Sequence, residues 1–201
     1  MVGDSIMNAR SNYININKPY AVSLFSQRFG KILFENLYDS YSEIIILCVG
    51  TDRSTGDCLG PLIGQRLKYI QNKKIRVYGT LDDPVHAKNL KEVLEGIEKN
   101  YGNPFIISID ACLGKTDSIG CISVGKGPIK PGAGVNKKLP ETGNIHIMGI
   151  VNVGGFMEYI ILQNTRLSLV MRMADIISAG IYHNLSKYIN NRLMQDRTIK
   201  K

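Results

Sequence analysis

Long apolar runs are missing from this sequence. The longest uninterrupted one, Ile44 to Val49, falls far short of the roughly 20 residues that a membrane-spanning helix needs. Neither the cationic start nor the apolar middle of a secretory signal is visible before the first apolar cluster, where Asp4 and many polar residues stand; the expected address is the cytoplasm. The cysteines Cys48, Cys58, Cys112 and Cys121 follow no CxxC spacing, which argues against a disulfide framework or zinc knuckle and for buried thiols. No internal repeat, low-complexity stretch or Pro/Gly/Ser linker divides the chain. What is present is ordinary for a folded protein: 201 residues, 44% hydrophobic and 21% charged. This length suits one domain over 1–201, with residues 1–20 as a flexible arm and the core at about 44–190. Lys and Arg exceed Asp and Glu by 25 to 17, a net +8. The basic residues are dispersed and not interleaved with aromatics, so the excess reads as solvated surface and no nucleic-acid partner is expected.

The apolar pattern alternates between two periods. Val22, Phe25, Phe29, Ile32, Leu33 and Leu37 recur at helical spacing, interrupted by Gly30. Glu43 to Val49 is short, continuous and β-branched, as a parallel strand buried on both faces should be. A helix over Leu59 to Ile70 and a strand over Ile75 to Gly79 complete a βαβ unit. A helix from about His86 to Lys99 and a buried strand over Pro104 to Ile109 continue it. Ile119 to Val124 suits an edge or antiparallel strand, and a Gly/Pro/Lys loop spans Gly125 to Gly143. Ile145 to Val151 is the last expected strand, followed by helices over Phe156 to Gln163 and Leu167 to about Ile189. The sum is an α/β protein, a three-layer α/β/α sandwich around a mostly parallel sheet.

Ligands of such sheets gather at the carboxyl ends of strands, near the point where strand order reverses. Two acids meet that description. Asp57 lies in the loop Gly50-Thr-Asp-Arg-Ser-Thr-Gly-Asp-Cys-Leu-Gly-Pro61, and Asp110 directly follows the strand ending at Ile109. With strand order 2-1-3 their carboxylates can converge, and two like charges a few Å apart cannot both ionise easily, which would give one acid and one base at neutral pH. The plainer reading of Asp57 is a helix N-cap. Asp110, ending an apolar strand, must be solvated or partnered. Asp52 and Arg53 either bind substrate or pair with each other on the surface. The loop matches neither GxxxxGK[ST] nor GxGxxG, and no serine lies in GxSxG. His86, His146 and His183 lack a paired Cys or Ser motif, and surface or satisfied core positions are expected for them.

Four strings carry a family resemblance: the Gly50–Pro61 loop, Ile109-Asp-Ala-Cys-Leu-Gly114, Pro131-Gly-Ala-Gly-Val-Asn-Lys137 and Gly149-Ile-Val-Asn-Val-Gly-Gly-Phe-Met-Glu158. They resemble the YyaC-type sporulation proteins from about Ile44 to Ile181. That family resembles the germination protease of spore formers and, more remotely, the hydrogenase maturation proteases. The resemblance implies the phosphorylase/hydrolase-like fold and gives Asp57 and Asp110 the roles of the germination protease's two aspartates. It departs at Gly56, where that protease has proline, and at Thr51, where it has asparagine. The histidine that the maturation proteases use around nickel falls near Asn152, whose amide is a poor transition-metal ligand.

Together the residues and the resemblance point to a sporulation-associated peptidase of aspartic type. Asp57 and Asp110 would be catalytic; Thr51, Asp52, Arg53 and Asn152 would contact substrate, with a strand-terminating turn as the plain reading of Asn152. No cofactor and no metal are expected. The implied substrate is a protein or peptide, small acid-soluble spore proteins among them, steered by Lys126, Lys130, Lys137 and Lys138. The compartment would be the forespore or mother cell, and a homo-oligomer is left open. The rivals are a non-catalytic sporulation protein that binds or regulates on the same fold, and a metal-dependent maturation-type protease.

Overall fold

The computed structural model describes residues 13–70, 72–131 and 139–199, with side-chain surroundings as far as Arg192. In chain order the elements are β1 (Tyr13–Asn15), α1 (Ala21–Asn36), β2 (Ile44–Cys48), a 3-10 turn (Gly56–Cys58) and α2 (Leu59–Leu67). There follow β3 (Ile75–Tyr78), α3 (Leu90–Tyr101), β4 (Phe105–Gly114), β5 (Cys121–Lys126), β6 (Ile145–Val153), α4 (Glu158–Gln163) and α5 (Leu167–Ile199). A short 3-10 turn, Thr116–Ser118, joins β4 to β5.

The strands form one sheet in the order β1-β5-β6-β4-β2-β3. The run β6-β4-β2-β3 is parallel, whereas β5 is antiparallel to β6 and β1 to β5. The expected order, with Ile75–Tyr78 and Phe105–Gly114 flanking Ile44–Cys48, is therefore the one observed.

Side-chain alternation along β2 divides the core. Ile44, Ile46 and Cys48 join Phe105, Ile107 and Ile109 under α1, α2 and α5. Ile45, Leu47 and Val49 face the other way, against Leu90 and Ile97 of α3. Both faces of the sheet are thus covered, which is why its central strands read as continuous apolar runs. The result is the three-layer α/β/α sandwich, with three helices on one face and α3 on the other.

Helices α1 and α5 pack closely. Phe25, Phe29 and Leu33, each a helical turn apart, are wholly buried against the face that α5 supplies with Val170, Met173, Ile177, Ile181 and Leu185. A Cβ on Gly30 would come within 2.2 Å of Asn184 Oδ1, which accounts for the glycine inside that helix. The amide of Asn184, itself buried, donates to Ser26 O at 2.9 Å and to Gly180 O at 2.8 Å.

Three expectations need correction. Within the expected flexible arm, Tyr13–Asn15 pairs with β5, and Ile14 and Ile16 are 5% and 4% exposed. Alternate isoleucines in Ile14-Asn-Ile16 bury one face of an extended segment; residues 1–12 lie outside those described. The helix expected from His86 starts at Leu90, since a parallel bridge holds Val85 to Val49 and a turn over residues 87–89 precedes the helix. Strand β4 continues to Gly114, so Asp110 does not end it.

Candidate functional site

Strand β2 is flanked by β3 on one side and β4 on the other, and the connections α2 and α3 lie on opposite faces of the sheet. The gap between the carboxyl ends of β2 and β4 is therefore the switch point where such sheets bind ligands. The loop after β2 and Asp110 both stand there. The β2–β4 ladder ends at Cys48↔Ile109, closed by Val49 N–H donating to Ile109 O at 2.7 Å. Asp110 is the next residue of β4, still paired with Met148 of β6.

Gly50 makes the sharp exit from β2. Its φ is +142°, and a Cβ there would lie 2.0 Å from Asp57 O, so only glycine lets the loop close on itself. The closure is the Thr51 N–H bond to Asp57 O at 3.1 Å. Asp57 then sits in the 3-10 turn, which packs on β4, α2, α4 and α5. Neither the turn nor α2 has a side-chain cap at its N-terminus, so Asp57 is not the N-cap that the plainer reading expected. Gly56 abuts Leu162 Cδ2 and Thr165 Oγ1, where a Cβ would fall within 2.8 and 2.9 Å. This crowding suits glycine at the position where the resemblance has proline.

The two acids have different surroundings. Asp57 is half-buried, and burial pushes its carboxyl above the usual range; a hydrogen bond from the Thr51 backbone and the charge of His86 act against that rise. Asp110 is 4% exposed, and its Oδ1 accepts the Ala111 N–H at 2.8 Å. The neighbouring thiols are held in the protonated form. Cys58 is raised by burial and then by Asp52 and Asp57, against the pull of Arg66; Cys112 is pushed up to about 12 by burial and by Asp110. Neither is a nucleophile at neutral pH.

The other expected residues are dispersed around these acids. Thr51 is half-buried, and its Oγ1 accepts the Arg53 N–H at 3.3 Å. Asp52 and Arg53 are exposed at the loop's tip, with no ion pair between them among the described residues. Asn152 turns its amide towards the start of the C-terminal helices, donating to Ile161 O at 3.3 Å and Thr165 Oγ1 at 3.2 Å. Its Oδ1 accepts the Val153 N–H at 2.9 Å. Because Thr165 also borders Gly56, Asn152 braces the turn that carries Asp57. Lys130 pairs with Glu141 at 3.0 Å, whereas Lys137 and Lys138, with most of the Pro131–Lys137 string, lie outside the described residues.

One residue at the site carries no sequence motif. His86 follows Val85, whose backbone bridges to Val49, and its charge acts on Asp57. Only the long-range bridge brings it there. The other histidines behave as expected of them: His146 Nδ1 lies 2.9 Å from Gly127 O, and His183 lines a surface groove between α1 and α5.

The family profile described as "Protein of unknown function (DUF1256)" matches residues 15–180. The chain belongs to the DUF1256 family. The YyaC protein of Bacillus subtilis (strain 168), described as uncharacterized, is 59% identical to this DUF1256 chain over 138 residues, 69% of this chain and 67% of that one. Among solved structures, the [NiFe] hydrogenase maturation protease HycI from Thermococcus kodakarensis KOD1 shares the fold. Its TM-score is 0.53 at 13% identity, covering 79% of this DUF1256 chain and 99% of HycI. At that identity the likeness extends to the fold alone. A resident metal does not fit the described residues. Among the described residues no group of three or more His, Cys, Asp or Glu side chains could hold an ion, and the Asn152 amide is engaged by Ile161 and Thr165. No helix among the described residues is long and apolar enough to cross a membrane.

Proposed function

We propose that the protein is a peptidase of aspartic type that acts on spore proteins, with Asp57 and Asp110 as its acid and base. The observation that carries this reading is the presence of two carboxyl groups at the switch point of the sheet, Asp57 in the turn that follows β2 and Asp110 on the neighbouring β4. In the proposed reaction one carboxyl of the pair, ionised, takes a proton from water while the water oxygen bonds to the scissile carbonyl carbon. The other, protonated, gives its proton to the departing amine as the C–N bond breaks. The products are a free acid and a free amine, and proton exchange with solvent restores the pair.

Thr51, Asp52 and Arg53 are proposed to contact the peptide at the loop tip, and Asn152 to hold the turn in place from behind. Small acid-soluble spore proteins are the proposed substrates, within the forespore or mother cell. The test is cleavage of those proteins, followed by mass spectrometry, for the parent chain, Asp57→Asn and Asp110→Asn. Each substitution should cost about 10²–10⁴-fold in rate, the usual contribution of general acid–base groups. Equal rates in all three would overturn the pairing.

A second reading has one observation in its favour: two surface grooves, of about 880 and 570 Å³, lie between α1 and α5 and beside β3, away from both acids. A protein that binds a sporulation partner without cutting it would use such surfaces. Binding of spore proteins without turnover by the parent chain would favour that reading.

A further inference from the structure

The connection from β6 into α4 leaves its apolar side chains in water. Val153, Phe156, Met157, Tyr159 and Ile160 are all exposed, Phe156 by 87%, and α4 buries none of its residues. Single exposed apolar side chains are ordinary, but these five fall within one short stretch of chain, and contiguous apolar patches mark binding surfaces. The patch is also held in shape. Gly154 N–H donates to Gly114 O at 2.8 Å, at the end of β4, and the carbonyl of Met157 accepts Ile160 N–H at 2.9 Å and Ile161 N–H at 3.2 Å. Met157 itself has φ +59°, a left-handed conformation that a bulky side chain rarely adopts, and backbone strain of this kind gathers at ligand sites. From α4, Leu162 lies against Gly56, next to Asp57. One end of the patch thus rests on the strand that carries Asp110, and the other on the turn that carries Asp57.

We infer that this patch is the surface that receives large apolar side chains of an extended polypeptide, within a few residues of the bond to be cut. Three observations select that occupant. The patch is continuous with the acid site through Gly56 and Gly114, so a chain held at the acids meets it. It spans a single connection, whereas a stable interface with a second copy takes roughly 20–30 residues a side. It also presents backbone: Gly155 O and the N–H and C=O of Phe156 have no hydrogen-bond partner among the described residues. An extended chain can pair with such groups, whereas the hydrocarbon of a membrane would leave them unsatisfied. The inference rests on the peptidase reading for the cut, and on the patch alone for the binding.

The test uses the full chain carrying Asp57→Asn, so that bound peptide stays whole, and two fluorescein-labelled octapeptides of glycine and serine, one with Leu-Phe at its centre and the other with Ser-Ser. Fluorescence anisotropy should give a Kd at least about tenfold lower for the first, the worth of bringing an apolar side chain onto an apolar surface. Phe156→Ser and Ile160→Ser, both at exposed positions that the fold does not need, should each reduce that preference, and together abolish it; Phe156→Leu should keep it. Equal affinity for the two peptides overturns the inference, and so does a preference that survives the double substitution. A parent chain that is dimeric and that Phe156→Ser makes monomeric overturns it too, because a second copy would then cover the patch. Cleavage of spore proteins with no apolar residue enriched around the cut sites refutes the patch and leaves the acids in their role. A parent chain that cuts nothing, yet binds the Leu-Phe peptide through Phe156 and Ile160, refutes the peptidase reading and leaves the patch in its own.

Discussion

Asp57 combines a cost and a use. Burial raises its folded-state pKa above the ordinary 3.8. Below that value the carboxyl is protonated both folded and unfolded, and the shift has no effect on stability. As the pH rises, the unfolded chain gives up its proton first, so the folded state loses stability until its own carboxyl ionises. Asp57→Asn removes this penalty, and Asn Oδ1 can still accept from the Thr51 N–H. Thermal unfolding followed from pH 3 to 7 should therefore show the variant more stable than the parent at neutral pH, with the gap closing towards pH 3. A parent that is the more stable at neutral pH would contradict the burial of Asp57. Stability gained by removing a functional group is a common trade at active sites. The candidate site was legible at this scale only in part. The position of Asp57 after β2 follows from local pattern, whereas His86 reaches it through the Val49–Val85 bridge, which no spacing within either segment announces.

At the scale of elements, the clearest device is the contact between α1 and α5. Gly30 gives way to Asn184, whose amide donates to Ser26 and Gly180. Gly30→Ala should cost about 1–3 kcal/mol by overpacking, despite alanine's better helix propensity. In an Asn184→Ala background the same change should become neutral or stabilising, because the obstructing amide is gone. Urea denaturation of the four chains measures this coupling, and additive effects would refute it. The buried strands could be read from sequence because continuous runs such as Ile44–Cys48 are what a doubly covered sheet demands. Strand β1 is hard to read from sequence because its signal is only Ile14 and Ile16 within a polar stretch, and its partner is more than 100 residues away. The apolar pattern ends β4 too early because the polar Asp110 interrupts an apolar run, while the ladder to β6 carries the strand on to Gly114.

Across the whole molecule the two faces of the sheet are unequally covered. One carries α1, α2 and α5 over a large core; the other carries α3, buried chiefly through Leu90 and Ile97. Elements with fewer buried apolar contacts open at lower free energy. Native-state hydrogen exchange should show the amides of Leu90–Tyr101 exchanging through local opening ahead of those of α1 and of α5 around Val170–Leu185. Equal protection on both faces would refute this.

The pairing of β1 with β5, and of α1 with α5, also sets an order of events during synthesis. Residues 13–36 leave the ribosome early, yet their partners begin at Cys121 and Leu167. At about 5–20 residues per second that wait lasts on the order of 5–30 s. Until it ends, Phe25, Phe29 and Leu33 have no completed core to enter, and the nascent chain carries a sticky helix face that only the last helix can retire.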